Sequence, residues 1–146
     1  MNRYQYQVKD ELMKAFRIDQ EINNMMEQIS ALSDLATKAS QTLSDMPGSP
    51  DRNIHKNEDI VVKMIDMQQD LQKKIDSLLD TKQHVADLIS QVKDREGRLV
   101  LQQRYLQYEK WEEIAGDLGY TVRQVFRIHD EALAEINLPA SCHSIS

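Results

Sequence analysis

The sequence is poor in the residue types that form disulfides, turns and strands. Its 146 residues include one cysteine, four glycines, three prolines and 5% aromatic residues. The single cysteine, Cys142, cannot form an internal disulfide, so nothing indicates an oxidising compartment. Because turns and strands depend on glycine and aromatic side chains, the composition favours helix. We therefore expect an all-α protein.

Long apolar runs and excess positive charge are also missing. The longest apolar runs are three residues, such as Ile60–Val62, whereas a membrane helix needs about 20. The opening MNRYQYQVKDEL lacks the apolar core of a signal peptide, so we expect a cytoplasmic protein with no membrane partner. The net charge of −6 opposes non-specific binding to nucleic acid.

Heptad-like apolar patterns are present in two segments. The first segment predicts one helix from about Val8 to about Leu43. Its apolar stripe has alternating intervals of three and four residues and consists of Ala15, Ile18, Ile22, Met25, Ile29, Leu32, Ala36, Ala39 and Leu43. The second stripe continues with Ile60, Met64, Met67, Leu71, Ile75, Leu78, Val85, Leu88 and Val92. It is the weaker of the two, because Lys74 and Thr81 occupy positions where apolar residues are expected.

A proline- and glycine-containing break separates the two stripes. DMPGSPDRN, residues 45–53, cannot continue a helix and supplies turn residues. Two helices of similar length joined by a short loop predict an antiparallel coiled-coil hairpin over residues 1–94. Such a hairpin has a thin core, so we expect self-association, with a dimer favoured; the alternative is a surface dedicated to another partner.

The remaining chain divides into a short module and a tail. KDREGR, residues 93–98, is charged, contains a glycine and predicts a hinge before a folded module at 95–136. Residues 137–146 are small and polar, and Pro139 blocks helix extension, so they predict a flexible tail.

The module has the spacing of a helix-turn-helix. This motif needs a small residue where the helices cross, a glycine at the turn and apolar residues at fixed offsets. The predicted core comprises Trp111, Ile114, Ala115, Leu118, Gly119, Val125 and Ile128, and Thr121 is the predicted N-cap of the second helix. The alternative is a helical hairpin of the same shape with no role on DNA.

The outward positions of the second helix carry residues suited to reading bases. Arginine can bond guanine in two places and glutamine can do so with adenine. The predicted DNA-binding residues are Thr121, Val122, Arg123, Gln124, Phe126 and Arg127. Two alternatives stay open: the arginines pair with Asp130 or Glu131 at the surface, and Phe126 lies in a dimer contact instead of on a thymine methyl.

Residues 99–136, LVLQQRYLQYEKWEEIAGDLGYTVRQVFRIHDEALAEI, resemble region 4 of sigma-70-type RNA polymerase sigma factors. RYL is similar to the end of the helix before the motif, EEIAGDLGYT to its first helix and turn, and VFRIHDEAL to its second helix. The whole layout is similar to the ArpU-like phage and prophage regulators, including Trp111 before EEIA and His129 after RI. The resemblance implies a phage-type transcriptional regulator of a bacterial host, with double-stranded DNA and RNA polymerase as partners.

The sequence also departs from this pattern. No counterpart of the promoter-melting or −10-reading regions of sigma factors is present, and residues 95–136 hold six Lys and Arg against eight Asp and Glu. A monomer should therefore bind DNA weakly, with dimerisation or polymerase raising its apparent affinity. The acidic balance motivates a second hypothesis, an adaptor that docks on RNA polymerase or another phage protein without touching DNA.

Nothing in the sequence indicates an enzyme. It contains no glycine-rich phosphate loop and no nucleophile elbow. The histidines His55, His84 and His129 lie far apart, and the neighbours Cys142 and His143 are interpreted as a flexible pair in the tail. We expect no metal, no cofactor and no small-molecule substrate.

Overall fold

The structure is a computed structural model that describes residues 1–45 and 50–139. The predicted loop at 45–53 therefore lies partly outside the described residues, as does most of the predicted tail, including Cys142 and His143. The helices are α1 (Arg3–Leu12), α2 (Lys14–Asp45), α3 (Pro50–Ile89), α4 (Arg95–Tyr105), α5 (Trp111–Leu118) and α6 (Val122–Ala134). The described residues contain no strand, and the all-α fold class is confirmed.

The N-terminal helical segment is longer than predicted and is interrupted. α1 begins at Arg3 because Asn2 and Gln5 form a reciprocal cap, in which the Gln5 N–H donates to Asn2 Oδ1 (2.9 Å) and the Asn2 N–H donates to Gln5 Oε1 (2.7 Å). The single predicted helix is in fact divided at Met13, whose N–H donates to Lys9 O at 3.0 Å. No proline or glycine lies there, so the local sequence gave no signal of the interruption.

α3 begins inside the predicted break. Its first residue is Pro50, although the turn composition extends to Asn53. Proline suits the first position of a helix, because an N–H there would have no intrahelical acceptor, proline lacks that N–H, and its φ is already helical.

The described helices form two compact units. The terminal unit comprises Met1–Ile18 and Leu78–Ser146, and the middle unit comprises Asp19–Ser77. These boundaries differ from the predicted division at residue 94, because α1 packs with the C-terminal helices. Its Tyr4 hydroxyl donates to Ile136 O (2.6 Å), and Gln5 Nε2 donates to Asp130 O (2.8 Å).

The core of the terminal unit draws on every helix that contributes to that unit. Its fully buried side chains include Val8, Leu12, Val85, Ile89, Val92, Val100, Leu101, Tyr105, Ile114, Val125, Leu133 and Ile136. At about 1.5–3 kcal/mol for each large apolar side chain removed from water, this burial is the main stabilising contribution to the unit.

The middle unit buries much less of its apolar surface. Only Ile22 is buried among its described side chains, while the remaining seam residues are half-buried: Met25, Ile29, Leu32, Ala36, Ile60, Met64, Met67, Leu71 and Ile75. An ion pair joins Lys74 Nζ to Glu21 Oε2 at 2.7 Å. Both partners are about half exposed, so this pair adds little stability.

The predicted hinge at residues 93–98 is wrong for its second half, which is helical from Arg95. Gly97 is buried within α4, and a Cβ built there would lie 3.1 Å from Ala132 Cβ and 3.1 Å from Val92 Cγ1. Glycine is therefore present because α6 approaches α4 closely, not because the chain bends. Arg98 fixes the preceding turn by donating from Nη1 to the carbonyl oxygens of Val92 (2.8 Å) and Lys93 (3.0 Å).

Substitution of two helical glycines should have opposite effects on stability. Gly97→Val should lower the free energy of unfolding by about 1–3 kcal/mol, because the added methyl groups must displace Ala132 or Val92. Gly116→Ala is the matched control, since a Cβ at this exposed α5 position meets nothing within 4 Å; it should stabilise the protein by about 0.5–1 kcal/mol. Urea unfolding followed by circular dichroism measures both. Equal effects of the two substitutions would contradict the close α4–α6 approach.

Candidate nucleic-acid interface

A glycine turn joins α5 to α6. Gly119 has a φ of 75°, in the left-handed region that glycine adopts without steric cost. Its N–H and that of Tyr120 both donate to Ala115 O, which ends α5. A Cβ at Gly119 would meet no atom within 4 Å, so the backbone angle alone makes glycine the favoured residue here.

The residues predicted as the core of the motif lie together. Ile114, Ala115, Val125 and Ile128 form one buried cluster with Val100 of α4, and Trp111 and Leu118 pack against it. Val122, predicted to contact DNA, also packs half-buried against this cluster. Most of its side chain is therefore turned toward the protein.

A reciprocal cap fixes the start of α6. The Gln124 N–H donates to Thr121 Oγ1 (3.2 Å), and the Thr121 N–H donates to Gln124 Oε1 (2.9 Å). Each bond satisfies a backbone donor near the helix start, where intrahelical acceptors are missing. Thr121 was predicted as the cap from the sequence. The capping role of Gln124 was not predicted, although the Thr-x-x-Gln spacing carries that signal.

Four polar residues at the start of α6 share one open groove. Thr121, Arg123, Gln124 and Arg127 line a concave surface of about 480 Å³, and all four are exposed. Within the described part of the chain, neither arginine forms an ion pair, so the alternative in which they pair with Asp130 or Glu131 is not observed. Both guanidinium groups keep their full charge available to a partner.

Phe126 is held by an aromatic neighbour. It remains 41% exposed, yet its ring packs edge-on against Trp111 with centroids 5.0 Å apart. Arg104 lies over the same indole at 4.5 Å, and His129 packs edge-on to it at 5.0 Å. Trp111 therefore connects the exposed side of α6 to α4 and to the buried side of α6.

A buried polar network, which was not predicted from the sequence, links α4 to α6. The hydroxyl of Tyr105 lies 2.6 Å from His129 Nε2, and His129 Nδ1 lies 2.9 Å from Asp130 Oδ1. Because an ionised carboxylate only accepts, Nδ1 carries the proton and Nε2 accepts from Tyr105. Tyr105 and His129 are 24 residues apart, so no sequence spacing indicates this pairing.

Burial sets the protonation of this network. It lowers the pKa of His129 below the ordinary value of 6.5, an effect that Asp130 opposes and that Lys9 and Arg104 reinforce. Burial likewise raises the pKa of the Tyr105 hydroxyl far above its usual value. Near neutral pH both side chains are uncharged. The Tyr105 hydroxyl and both ring nitrogens of His129 then each have a hydrogen-bond partner.

The lowered pKa of His129 predicts acid sensitivity. The contribution of His129 to stability should be complete above pH 6.5 and should decline as pH falls below 6.5, because the unfolded chain takes up a proton that the folded chain resists. Unfolding of the wild type and of His129→Phe, measured between pH 7.5 and 5.0, tests this. The wild type should lose stability more steeply than the variant, and parallel pH profiles would contradict the assignment.

The first helix of the candidate interface, α5, carries exposed acidic side chains. Glu112, Glu113 and Asp117 are exposed on α5. Burial, followed by the charge and hydrogen bond of Asp117, raises the pKa of Glu109. These carboxylates would repel phosphate, which limits the area of the terminal unit that a nucleic acid could cover.

Comparison with known proteins identifies the family but no function. The chain matches the family model described as "Protein of unknown function (DUF1492)" over residues 50–137, which is more than half of its length. The chain therefore belongs to that family. Neither a curated protein nor a solved structure matches it.

Two further observations bear on other kinds of site. Among residues 1–45 and 50–139, no three His, Cys, Asp or Glu side chains come together as metal ligands would. No helix in the same residues combines the length and apolar character needed to span a membrane.

Proposed function

We propose that the protein is a sequence-specific DNA-binding transcriptional regulator that reads DNA with α6. The observation that carries this proposal is the pair of exposed arginines, Arg123 and Arg127, which lack ion-pair partners among the described residues. They lie one turn apart on a helix whose opposite face is buried through Val125, Ile128 and Leu133. Such a helix presents a fixed polar face of the width that a major groove accepts.

In this proposal, α5 and α6 form a helix-turn-helix of the sigma region 4 type. The left-handed Gly119, the cluster around Ile114 and Ala115 and the cap at Thr121 support it. The resemblance to ArpU-like proteins suggests that the regulated genes are those of a phage or prophage in a bacterial host.

The affinity of one copy should be low. The interface has few cations, while α5 carries three exposed carboxylates, and each phosphate neutralised contributes only about 0.9 to the log–log salt slope. Two linked copies would bind more tightly without any new contact, because the second contact becomes intramolecular.

The middle unit is the proposed self-association element, an antiparallel coiled-coil hairpin. The Lys74–Glu21 pair joins α3 to α2 within this unit, and the apolar seam residues of both helices are only half-buried. Further apolar side chains face outward, including Val62 (58% exposed) and Ile65 (48% exposed). A second copy would remove this surface from water.

Loss of both arginines should abolish sequence-selective binding. Arg123→Ala with Arg127→Ala should weaken binding to a selected site by about 100-fold or more, since each bidentate arginine contact is worth about 1–3 kcal/mol. Helicity and oligomeric state should not change, because both side chains are exposed. Fluorescence anisotropy on sites selected from random DNA measures the affinity.

The matched control removes the same charge from the middle unit. Lys63→Ala with Lys73→Ala alters two exposed lysines and should retain site selection. If the arginine variant selects the same sites at the same salt concentration as the wild type, α6 is not the reading helix.

The exposed apolar residues of α3 should control oligomeric state. The wild type should have at least twice the 17.0 kDa mass of one chain in light scattering, and Val62→Lys with Ile65→Lys should shift it to the monomer. Asn23→Lys with Ser30→Lys, on the polar face of α2, adds the same charge and should leave the mass unchanged. A monomeric wild type would exclude the self-association element.

A second candidate function is an adaptor that docks on RNA polymerase or another phage protein. A pocket of about 250 Å³ in the terminal unit favours it, with Met13, Phe16 and Tyr108 as apolar lining and Arg104 and Lys110 as cations. Selection from random DNA, with the protein alone and then with polymerase, separates the candidates. Enrichment by the protein alone supports the regulator, and enrichment only with polymerase supports the adaptor.

A further inference from the structure

The cap at the start of α6 restricts what Gln124 can offer to DNA. Its Oε1 accepts from the Thr121 N–H at 2.9 Å. The atom in this contact must be the amide oxygen, because a backbone N–H needs an acceptor. The cap engages one of the two acceptor sites of this oxygen and leaves both N–H donors of Nε2 free to bond DNA. A two-point contact with adenine, which needs both the amide oxygen and the amide nitrogen, would have to share the oxygen with the cap.

The neighbouring side chains of the same groove are donors as well. Arg123 and Arg127 carry guanidinium groups, which donate and never accept. The Thr121 Oγ1 already accepts from the Gln124 N–H and still has its hydroxyl proton to donate. The polar groups that line this groove therefore offer many more donors than free acceptor sites.

Acceptors on α6 lie outside this groove or are already engaged. Asp130 Oδ1 accepts from His129 Nδ1 at 2.9 Å. Glu131 is exposed but lies one turn beyond Arg127, farther from the helix start that usually meets base edges. Over its first two turns, α6 offers mainly hydrogen-bond donors.

We propose that α6 selects guanine-containing sites in double-stranded DNA, and this inference rests on the proposed DNA-binding function. In the major groove, guanine presents two adjacent acceptors, N7 and O6, whereas adenine presents an acceptor beside a donor, cytosine a donor, and thymine a single acceptor beside its methyl group. A face on which donors predominate therefore pairs at two adjacent points with guanine and with no other base. The cap thus makes Gln124 a specificity-determining residue.

The helix geometry limits the spacing of these guanines. Arg123 and Arg127 are four residues apart, which is about 6 Å along a helix axis at 1.5 Å per residue. A base step rises about 3.4 Å, so the two contacted guanines should lie within about two base pairs of each other.

Selection from random double-stranded DNA with the full chain tests the inference. The expected enriched site contains two guanines within about two base pairs, and Arg123→Ala and Arg127→Ala should each relax the preference at one of them. Enrichment of sites built only from A·T pairs, or of adenine at a position that depends on Gln124, would overturn the inference while leaving the proposed function intact. No enrichment, with or without polymerase, would overturn both.

Gln124→Glu tests the role of Gln124 in base preference directly. A carboxylate at this position still accepts from the Thr121 N–H, so the helix start should be preserved in circular dichroism, but the Nε2 donors are lost. We expect about a tenfold loss on the parent site and a shift at one position toward cytosine, whose N4 amino group donates. Gln107→Glu, an exposed residue outside α6, adds the same charge and should keep the parent preference. An unchanged base preference in Gln124→Glu would overturn the role of Gln124.

Discussion

The close approach of α6 to α4 is the constraint on which the candidate interface depends. Gly97 leaves room for the Ala132 methyl group, so only this small side chain lies between the two helices at this point. One turn earlier on α6, His129 accepts a hydrogen bond from the Tyr105 hydroxyl of α4 inside the same contact. A steric contact and a directional hydrogen bond together fix both the distance and the rotation of α6. The face of α6 that carries Arg123 and Arg127 is consequently exposed to solvent.

The N-terminal helix extends this constraint to the far end of α6. Gln5 donates to the carbonyl of Asp130, and Tyr4 donates to the carbonyl of Ile136 just beyond the helix. The side chain of Asp130 also accepts from His129. The first helix of the chain is thus part of the support for α6, and the C-terminal module is not an independent fold in this structure.

The distribution of charge explains why one copy of the proposed DNA-binding module should have a low affinity for DNA. Its donors are concentrated in one groove, while carboxylates occupy the exposed side of α5. A surface of this kind can discriminate between bases through hydrogen bonds but gains little from the phosphate backbone. In the proposed dimer, the half-buried seam and the outward apolar residues of the middle unit would join two copies, and the first copy on DNA would raise the effective concentration of the second.

The sequence by itself determined the helical class, the turn at Gly119, the cap at Thr121 and the apolar set around Ile114, since these depend on local periodicity and backbone preference. It also indicated most of the α6 residues that face outward, but not that Val122 packs against the buried cluster. Only the tertiary structure decided that α1 packs on α6, that Gly97 is a contact and not a hinge, and that His129 is buried against Tyr105. These features join residues that are distant in the chain. A stripe of apolar residues predicts that one face of a helix is buried, but it does not identify the element that covers this face.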